Sequence, residues 1–268
     1  MNDFMPFTKD MMFCEVMKND DVCRDMIERI INRPLKKIIR KNRQQVITAG
    51  IDIRSIRLDV CVETADGLLI DVEMQVGRYK ELPLRFRGYQ SVMDSSYWKP
   101  GNHYDELKET YIIFLCLGDP FEQKLPVYTF KPVCLETDKV SADFRTHWLA
   151  LNAKAFDSAP EPIKSLLEYM AKGEPTDDDL VQQINDIVIN VNNDAEKVSE
   201  MMTVQNIIDE NERFAKQIEL EKEKNDKLTV ELHGKNNEIE HQRNENISLL
   251  SKISKLEAKL SELKAKKK

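Results

Sequence analysis

Two alternating segments joined by an Asp-Gly turn, residues 56–75, constrain the fold of this chain more than any other feature of its sequence. The stretch IRLDVCVETADGLLIDVEMQ alternates apolar and polar residues with the period of two that is typical of β-strands. If Ala65, Asp66 and Gly67 form a three-residue loop with Gly67 in the left-handed conformation, the apolar residues fall on one face of the hairpin. A two-residue loop would mix apolar and acidic residues on both faces. Because burial of an apolar face fixes the register, the sequence predicts the three-residue loop.

The predicted register brings acidic residues together on the other, polar face. Asp59 on the first strand lies directly opposite Glu73 on the second. The two further pairs predicted for this face are Arg57 with Gln75 and Cys61 with Asp71. Like charges directly opposite each other destabilise a sheet. Either a divalent cation lies between the carboxylates, since Mg²⁺ and Mn²⁺ prefer oxygen ligands, or the face is open to solvent, which screens the repulsion.

The rest of the first two thirds predicts an α/β domain. Apolar residues at helical spacing indicate two N-terminal helices, the first capped by Thr8 and the second formed by DDVCRDMIERII. Pro83 begins a further helix that ends near Trp98. The other predicted elements are strands at about 36–46, 110–117 and 127–130, and closing helices at about 160–173 and 176–191, the last capped by Thr176.

A heptad repeat runs through the last seventy residues. Seventeen positions alternate at spacings of four and three, eleven of them are apolar, and the last five are apolar without interruption. This pattern predicts a long coiled-coil helix, and the alternative is a charged single helix. We call these positions the seam: Ile207, Asn211, Phe214, Ile218, Glu221, Asn225, Leu228, Leu232, Lys235, Ile239, Gln242, Asn246, Leu249, Ile253, Leu256, Leu260 and Leu263. The three asparagines of the seam would favour one register and one strand number.

Composition excludes several classes of protein. The net charge is −7, which argues against nonspecific coating of nucleic acid. The five cysteines are scattered without a CxxC pair, so free thiols in a reducing compartment are expected. The N-terminus MNDFMPFTKD has no basic segment followed by an apolar one, and no apolar run approaches the length of a membrane span. We therefore expect a cytoplasmic protein with no membrane partner.

Several motifs of the first half occur together in a known family. The hairpin LDVCVETADGLLIDVEMQ is preceded by TKDMMFCEVM and followed by LPLRFRGYQSVMD and YDELKETYIIFL. Together these motifs, which span about residues 6–130, resemble the PD-(D/E)XK nuclease family of transposases, also called recombination-promoting nucleases. The resemblance implies a restriction-endonuclease-like core of helix, three strands, helix and strand, with a central mixed sheet flanked by helices.

The resemblance also implies a metal site on the hairpin. In the superfamily, an aspartate on one strand and a glutamate on the next bind Mg²⁺ or Mn²⁺, and a lysine two residues after the glutamate orients the attacking water. Asp59, Glu73 and Gln75 occupy these positions here. Glutamine can orient a water molecule by hydrogen bonding but carries no positive charge. Arg57 or Arg85 could supply the missing charge.

Other residues are candidates for secondary roles. Members of the superfamily often add an acid from the first helix, for which Asp10 or Glu15 would serve here, and Asp71 is a further candidate. Arg85 and Tyr89 lie four residues apart on one helix face. Together with Arg57 they are candidates for binding DNA, and the alternative is ordinary packing for Tyr89 and an ion pair with Asp71 for Arg85.

Two functions are compatible with the sequence. The first is a metal-dependent DNA endonuclease that promotes recombination through DNA breaks and forms a dimer through its coiled coil. The alternative is a catalytically inactive DNA-binding or scaffold protein that keeps the nuclease fold and oligomerises through the same helix. The predicted domains are a nuclease-like domain at 1–190, with its core at about 6–130 and closing helices at about 160–190, and a coiled coil at 195–268.

Overall fold

The computed structural model describes residues 4–47, 56–77, 79–98, 100–137 and 143–265. Within these ranges the side chains of residues 40–47, 56–58, 212, 219 and 261–265 lie outside the description. The chain divides into two compact units, Met1–Met202 and Thr203–Lys268.

A mixed sheet forms the centre of the first unit. Its strands in the described residues are β1 (Ile38–Ile47), β2 (Ile56–Thr64), β3 (Leu69–Gln75), β4 (Thr110–Cys116), β5 (Val127–Phe130) and β6 (Thr146–Asn152). They lie in the order β1-β2-β3-β4-β6-β5. The first three form an antiparallel meander, β3, β4 and β6 are parallel, and β5 is antiparallel to β6. The predicted mixed sheet is therefore confirmed.

Helices cover both faces of this sheet. They are α1 (Asp10–Val16), α2 (Asp20–Ile31), α3 (Leu82–Tyr97), α4 (Glu161–Lys172) and α5 (Asp179–Asn193). Apolar residues of α1, α2, α4 and α5 share one core with the inward face of the hairpin, including Val60, Val62, Ile70 and Val72. Helix α3 packs on the opposite face, where the polar side of the hairpin lies. Short 3₁₀ turns at Tyr79–Glu81, Tyr104–Glu106 and Ala153–Ser158 complete the connections.

Aromatic packing fixes helix α3 on the sheet. The Phe86 ring stacks on Trp148, with ring centres 5.7 Å apart, and meets Phe114 edge-on at 4.9 Å. Aromatic pairs at such separations stabilise by about 0.5–1.5 kcal/mol beyond the area that they bury. Phe86 lies beside Arg85 and three residues before Tyr89. Its packing therefore helps to position the side chains of Arg85 and Tyr89 over strand β3.

The predicted order of elements is confirmed, and three details were wrong. Strand β6 was not predicted, because THWLALN shows neither regular alternation nor a turn signal and is defined by its parallel pairing with β4. Helix α1 is preceded by Lys9 without a side-chain cap, not by Thr8. Helix α5 is capped by Asp178, whose carboxylate accepts hydrogen bonds from the amides of Leu180 and Val181, not by Thr176.

The second unit lies within one long helix, α6 (Ala195–Ala265). Ten apolar residues of the seam are described, and each has between 49% and 64% of its surface exposed. The helix prediction is thus confirmed. The pairing of this helix with another copy stays a prediction.

Candidate active site

The hairpin adopts the register that the sequence predicts. Gly67 has a φ of 84°, in the left-handed region, and the Thr64 amide donates to the Leu68 carbonyl at 3.0 Å. Val60 then pairs with Val72 and Cys61 with Asp71. The three-residue turn therefore sorts apolar and polar side chains onto opposite faces, as burial of one face requires.

Asp59 and Glu73 meet one step beyond the last regular pair of β2 and β3. Glu73 Oε1 accepts a hydrogen bond from the Asp59 amide at 2.7 Å, and Asp59 Oδ2 accepts one from the Met74 amide at 3.2 Å. Each carboxylate thus binds the backbone of the opposite strand. Both side chains are buried. The solvent-exposed alternative for this face is therefore wrong, because helix α3 covers it.

Two residues of helix α3 bind Glu73 from above. The Tyr89 hydroxyl donates to Glu73 Oε2 at 2.8 Å, and Arg85 Nη2 lies 3.3 Å from the same oxygen. Arg85 Nη2 also donates to the Tyr89 hydroxyl at 2.6 Å. The guanidinium carbon lies 4.8 Å from the centre of the Phe114 ring, which supports it by a cation–π contact. Arg85 is consequently a fixed positive charge at the edge of the acidic site.

Gln75 is held by the same arginine. Its side-chain oxygen accepts a hydrogen bond from Arg85 Nη1, and its side-chain nitrogen donates to the Gly77 carbonyl. Both polar atoms of the amide are therefore engaged. Arg85 contacts both Gln75 and Glu73. A positive charge is therefore present beside residue 75, although residue 75 itself carries none.

Asp71 is the most unusual group of the site. It is fully buried, and within the described part of the chain no N–H group donates to either carboxylate oxygen, although the Glu73 carboxyl lies within hydrogen-bond reach when one of the two is protonated. Burial and the charge of Asp59 raise the pKa of Asp71 well above its ordinary value, against smaller opposing effects of Arg85 and of a hydrogen bond with the Glu73 carboxyl. A buried carboxylate without a donor is costly.

The pKa of Glu73 is shifted in the same direction. Burial raises the pKa of this carboxyl well above its ordinary range, and the neighbouring Asp71 raises it further. The Asp59 amide, Arg85 and Tyr89 oppose the shift without cancelling it. The site therefore has an excess of buried acid, which a bound proton or a cation would relieve.

Asp10 and Glu15, the candidate metal ligands of the first helix, lie in different surroundings from the hairpin carboxylates. Glu15 forms ion pairs with Lys18 and with Lys197, the latter at 2.6 Å, and these contacts lower its pKa although burial opposes them. Asp10 is the first residue of α1. Helix α1 reaches the site through Cys14, whose thiol lies 3.6 Å from the Asp59 carbonyl oxygen.

The structure thus brings together Asp59, Glu73, Gln75, Arg85 and Tyr89. Arg57 belongs to strand β2, but its side chain lies outside the described part of the chain. Among the described residues, no group of three or more His, Cys, Asp or Glu has an arrangement that could hold a metal ion. Of the carboxylates that could take part, Glu73 is turned towards Tyr89 and Arg85.

Sequence reasoning missed one residue that organises the site. The Tyr79 hydroxyl accepts a hydrogen bond from the Gly118 amide at 2.7 Å and lies 3.4 Å from the Gln75 carbonyl. Its ring fills the space that a side chain at Gly118 would occupy, since a Cβ there would lie 2.8 Å from the ring. No sequence signal pointed to this contact, because it depends on the parallel pairing of β3 with β4.

Comparison with known families gave a match over the first part of the chain. The model of the PD-(D/E)XK nuclease family transposase matches residues 2–154, more than half of the chain. Comparison with curated proteins and with solved structures gave no match. Among the described helices, none combines the length and apolar character needed to cross a membrane.

Proposed function

The chain belongs to the PD-(D/E)XK nuclease family of transposases, and on this premise we propose that it is a metal-dependent DNA endonuclease that hydrolyses phosphodiester bonds. The observation that supports this function best is the meeting of Asp59 and Glu73, each bound to the backbone of the other's strand, beside Gln75 and Arg85. Promotion of recombination would follow from the DNA breaks, and the proposed location is the cytoplasm.

The proposed cofactor is Mg²⁺ or Mn²⁺, bound by Asp59 and Glu73. These carboxylates offer the oxygen ligands that both ions prefer. The fully buried Asp71, which has no N–H donor among the described residues, would add a negative charge that a cation would compensate. Such an ion supplies a water molecule of lowered pKa and stabilises charge on the phosphate and on the leaving oxygen. The carboxylate set therefore suits the ion in its chemistry.

The remaining roles fall to residues around the carboxylates. We assign Gln75 to orienting the attacking water through its side-chain amide, which requires that it exchange its contact with Arg85 or Gly77 for the water. Arg85 carries the positive charge that a lysine at position 75 would have provided. Arg85 and Tyr89, with Arg57, are the proposed contacts to the DNA backbone.

Replacement of Arg85 by glutamine should lower cleavage by roughly 100-fold, the usual cost of removing one group that stabilises transition-state charge. Arg85→Lys should cleave faster than Arg85→Gln but more slowly than the wild type. Lysine keeps the positive charge, but it cannot contact Glu73 and Gln75 at the same time. Initial rates of plasmid nicking measure the effect.

Arg87→Gln is the matched control. Arg87 lies on the exposed side of the same helix, and its replacement removes the same positive charge. Arg57→Gln tests the other candidate. If cleavage by the Arg57 variant is unchanged, Arg57 has no part in the mechanism; if the Arg85 variant cleaves like the wild type, Arg85 does not replace the lysine.

The alternative function, an inactive nuclease fold that acts as a scaffold, has one observation in its favour. Glu73 forms an ion pair with Arg85 at 3.3 Å, and this contact uses an oxygen that a metal ion would need. Against it, an inactive descendant has no evident reason to keep Asp71 buried beside Asp59 and Glu73. The remaining Glu73 oxygen accepts from the Asp59 backbone amide, so a bound cation would share this oxygen with that N–H.

Incubation of the wild-type protein with supercoiled plasmid in Mg²⁺, in Mn²⁺ and in EDTA distinguishes the two functions. The nuclease should produce nicked or linear DNA with either cation, none in EDTA, and activity again when Mg²⁺ is restored. Absence of cleavage with both cations, at protein concentrations that retard the same DNA in a gel, would favour the scaffold.

A further inference from the structure

The residues of the helix α6 seam indicate the orientation and the number of strands of the coiled coil that this helix forms. Ten of its apolar side chains are about half or more exposed, in a unit that has no other element within the described residues. An apolar stripe of this length on an isolated helix needs a covering surface. The sequence of the stripe indicates which surface that is.

The residue types of the seam are distributed unevenly between heptad positions a and d. In heptad notation Ile207 is at position d and Asn211 at position a, and the spacing then fixes all the others. The three asparagines all occupy position a, and so do three of the four isoleucines, Ile218, Ile239 and Ile253. Four of the six seam leucines, Leu228, Leu249, Leu256 and Leu263, occupy position d, while Leu232 and Leu260 occupy position a. Isoleucine at a, leucine at d and single asparagines at a favour a parallel coiled coil of two strands.

Parallel alignment pairs each seam asparagine with its own copy, so that side-chain amides meet amides. The antiparallel alignment that overlaps the seam most completely, with Ile207 opposite Leu260, instead places Asn211 opposite Leu256 and Lys235 opposite Leu232. Both of these contacts bury a polar group against an apolar one, which is unfavourable. Polar seam residues therefore favour the parallel alignment.

The flanking charges are compatible with this alignment. In a parallel pair a residue at position g faces the residue five positions later on the second copy. Glu238 then faces Arg243 and Lys252 faces Glu257, which are attractive, whereas Lys259 faces Lys264, which is repulsive.

The seam itself also contains opposing charges. Glu221 and Lys235 would each face their own copy at position d. They weaken the N-terminal half and leave the apolar heptads from Leu249 on as the main contact.

We propose that the partner of this helix is a second copy of the chain, bound in parallel and in register as a two-stranded coiled coil. Both chains then enter the coiled coil at the same end, so two candidate active sites are tethered there. Two sites in one dimer would allow each site to act on one strand of a duplex. The pairing itself does not depend on the proposed nuclease function, and its test uses no cleavage.

Single cysteines test the alignment. In a background with Cys134→Ser, which removes the one cysteine that is not buried, Asn225→Cys and Asn246→Cys are each oxidised under native conditions. The parallel pair predicts covalent dimers from both variants. Asn237→Cys and Asn244→Cys, on the outer face of the helix at position f, are matched controls and should stay largely unlinked. Light scattering should give twice the chain mass of 31.2 kDa.

Other outcomes overturn the proposal. In the antiparallel alignment Asn225 lies opposite Gln242, so cross-links would form only in mixtures of Asn225→Cys with Gln242→Cys protein. A mass of one chain, or of three or more, would exclude two strands. Equal linking of the seam and outer-face cysteines would show chance encounters in place of a fixed register.

Discussion

Glu73→Gln is expected to abolish most cleavage in Mg²⁺, lowering the initial rate by at least about 100-fold, while the protein stays folded. Glutamine has the shape of glutamate and keeps an oxygen that can accept from the Asp59 amide. It loses the negative charge that a divalent cation needs. Burial and Asp71 raise the pKa of Glu73, so removal of its charge relieves part of that cost, while Arg85 loses its ion pair; the two effects on the free energy of unfolding oppose each other. Initial rates and chemical denaturation of one preparation measure both quantities.

Glu63→Gln provides the matched control for this prediction. Glu63 lies on strand β2 of the same hairpin and is largely buried, but it pairs with Lys108 outside the site. Its replacement should leave cleavage near the wild-type rate and lower stability, because Lys108 loses its partner. Equal rates for wild type and Glu73→Gln would exclude Glu73 from catalysis.

Asp71→Asn should raise the free energy of unfolding in EDTA at neutral pH, by about 1–3 kcal/mol, because it removes a buried charge beside Asp59 and Glu73 and its amide can donate to their carboxylates. The raised pKa of Asp71, caused first by burial and then by Asp59, means that the folded protein holds this proton more tightly than the unfolded chain. The contribution of Asp71 to stability is therefore full at low pH and is lost as the pH rises through the folded-state pKa. The asparagine variant should lose this part of the pH dependence.

Denaturation in urea at several pH values measures this prediction. Asp177→Asn removes an exposed carboxylate between α4 and α5 and should change stability by less than about 0.5 kcal/mol. A destabilised Asp71 variant would mean that the carboxylate has a favourable partner in the folded protein. An unchanged pH profile would mean that its pKa is not raised.

The hairpin shows which part of this fold and site is readable from sequence. The choice of a three-residue turn follows from burial of the apolar face alone, and it suffices to bring Asp59 near Glu73 before any tertiary contact is known. Helix α3 is likewise predicted, because Pro83 and the apolar spacing are local signals. The spacing of Arg85 and Tyr89 then indicates that both face one side.

Contacts that depend on distant pairing could not be predicted. Strand β6 and the bond between Tyr79 and Gly118 follow from the parallel association of β3, β4 and β6, for which THWLALN carries no local signal. The burial of Asp71 depends on how closely α3 covers the sheet. The engagement of Gln75 by Arg85 depends on side-chain packing, which alternation and spacing do not specify.

The central claim is that the Asp59 carboxylate and a divalent cation together cleave DNA. The measurement that tests it most directly is a time course of supercoiled plasmid with wild-type and Asp59→Asn protein, purified side by side and assayed in the same Mg²⁺ buffer. The wild type should give nicked and then linear product, and the variant at most a trace. Product at the same rate from both proteins would contradict it, because the activity would then belong to another site or another protein.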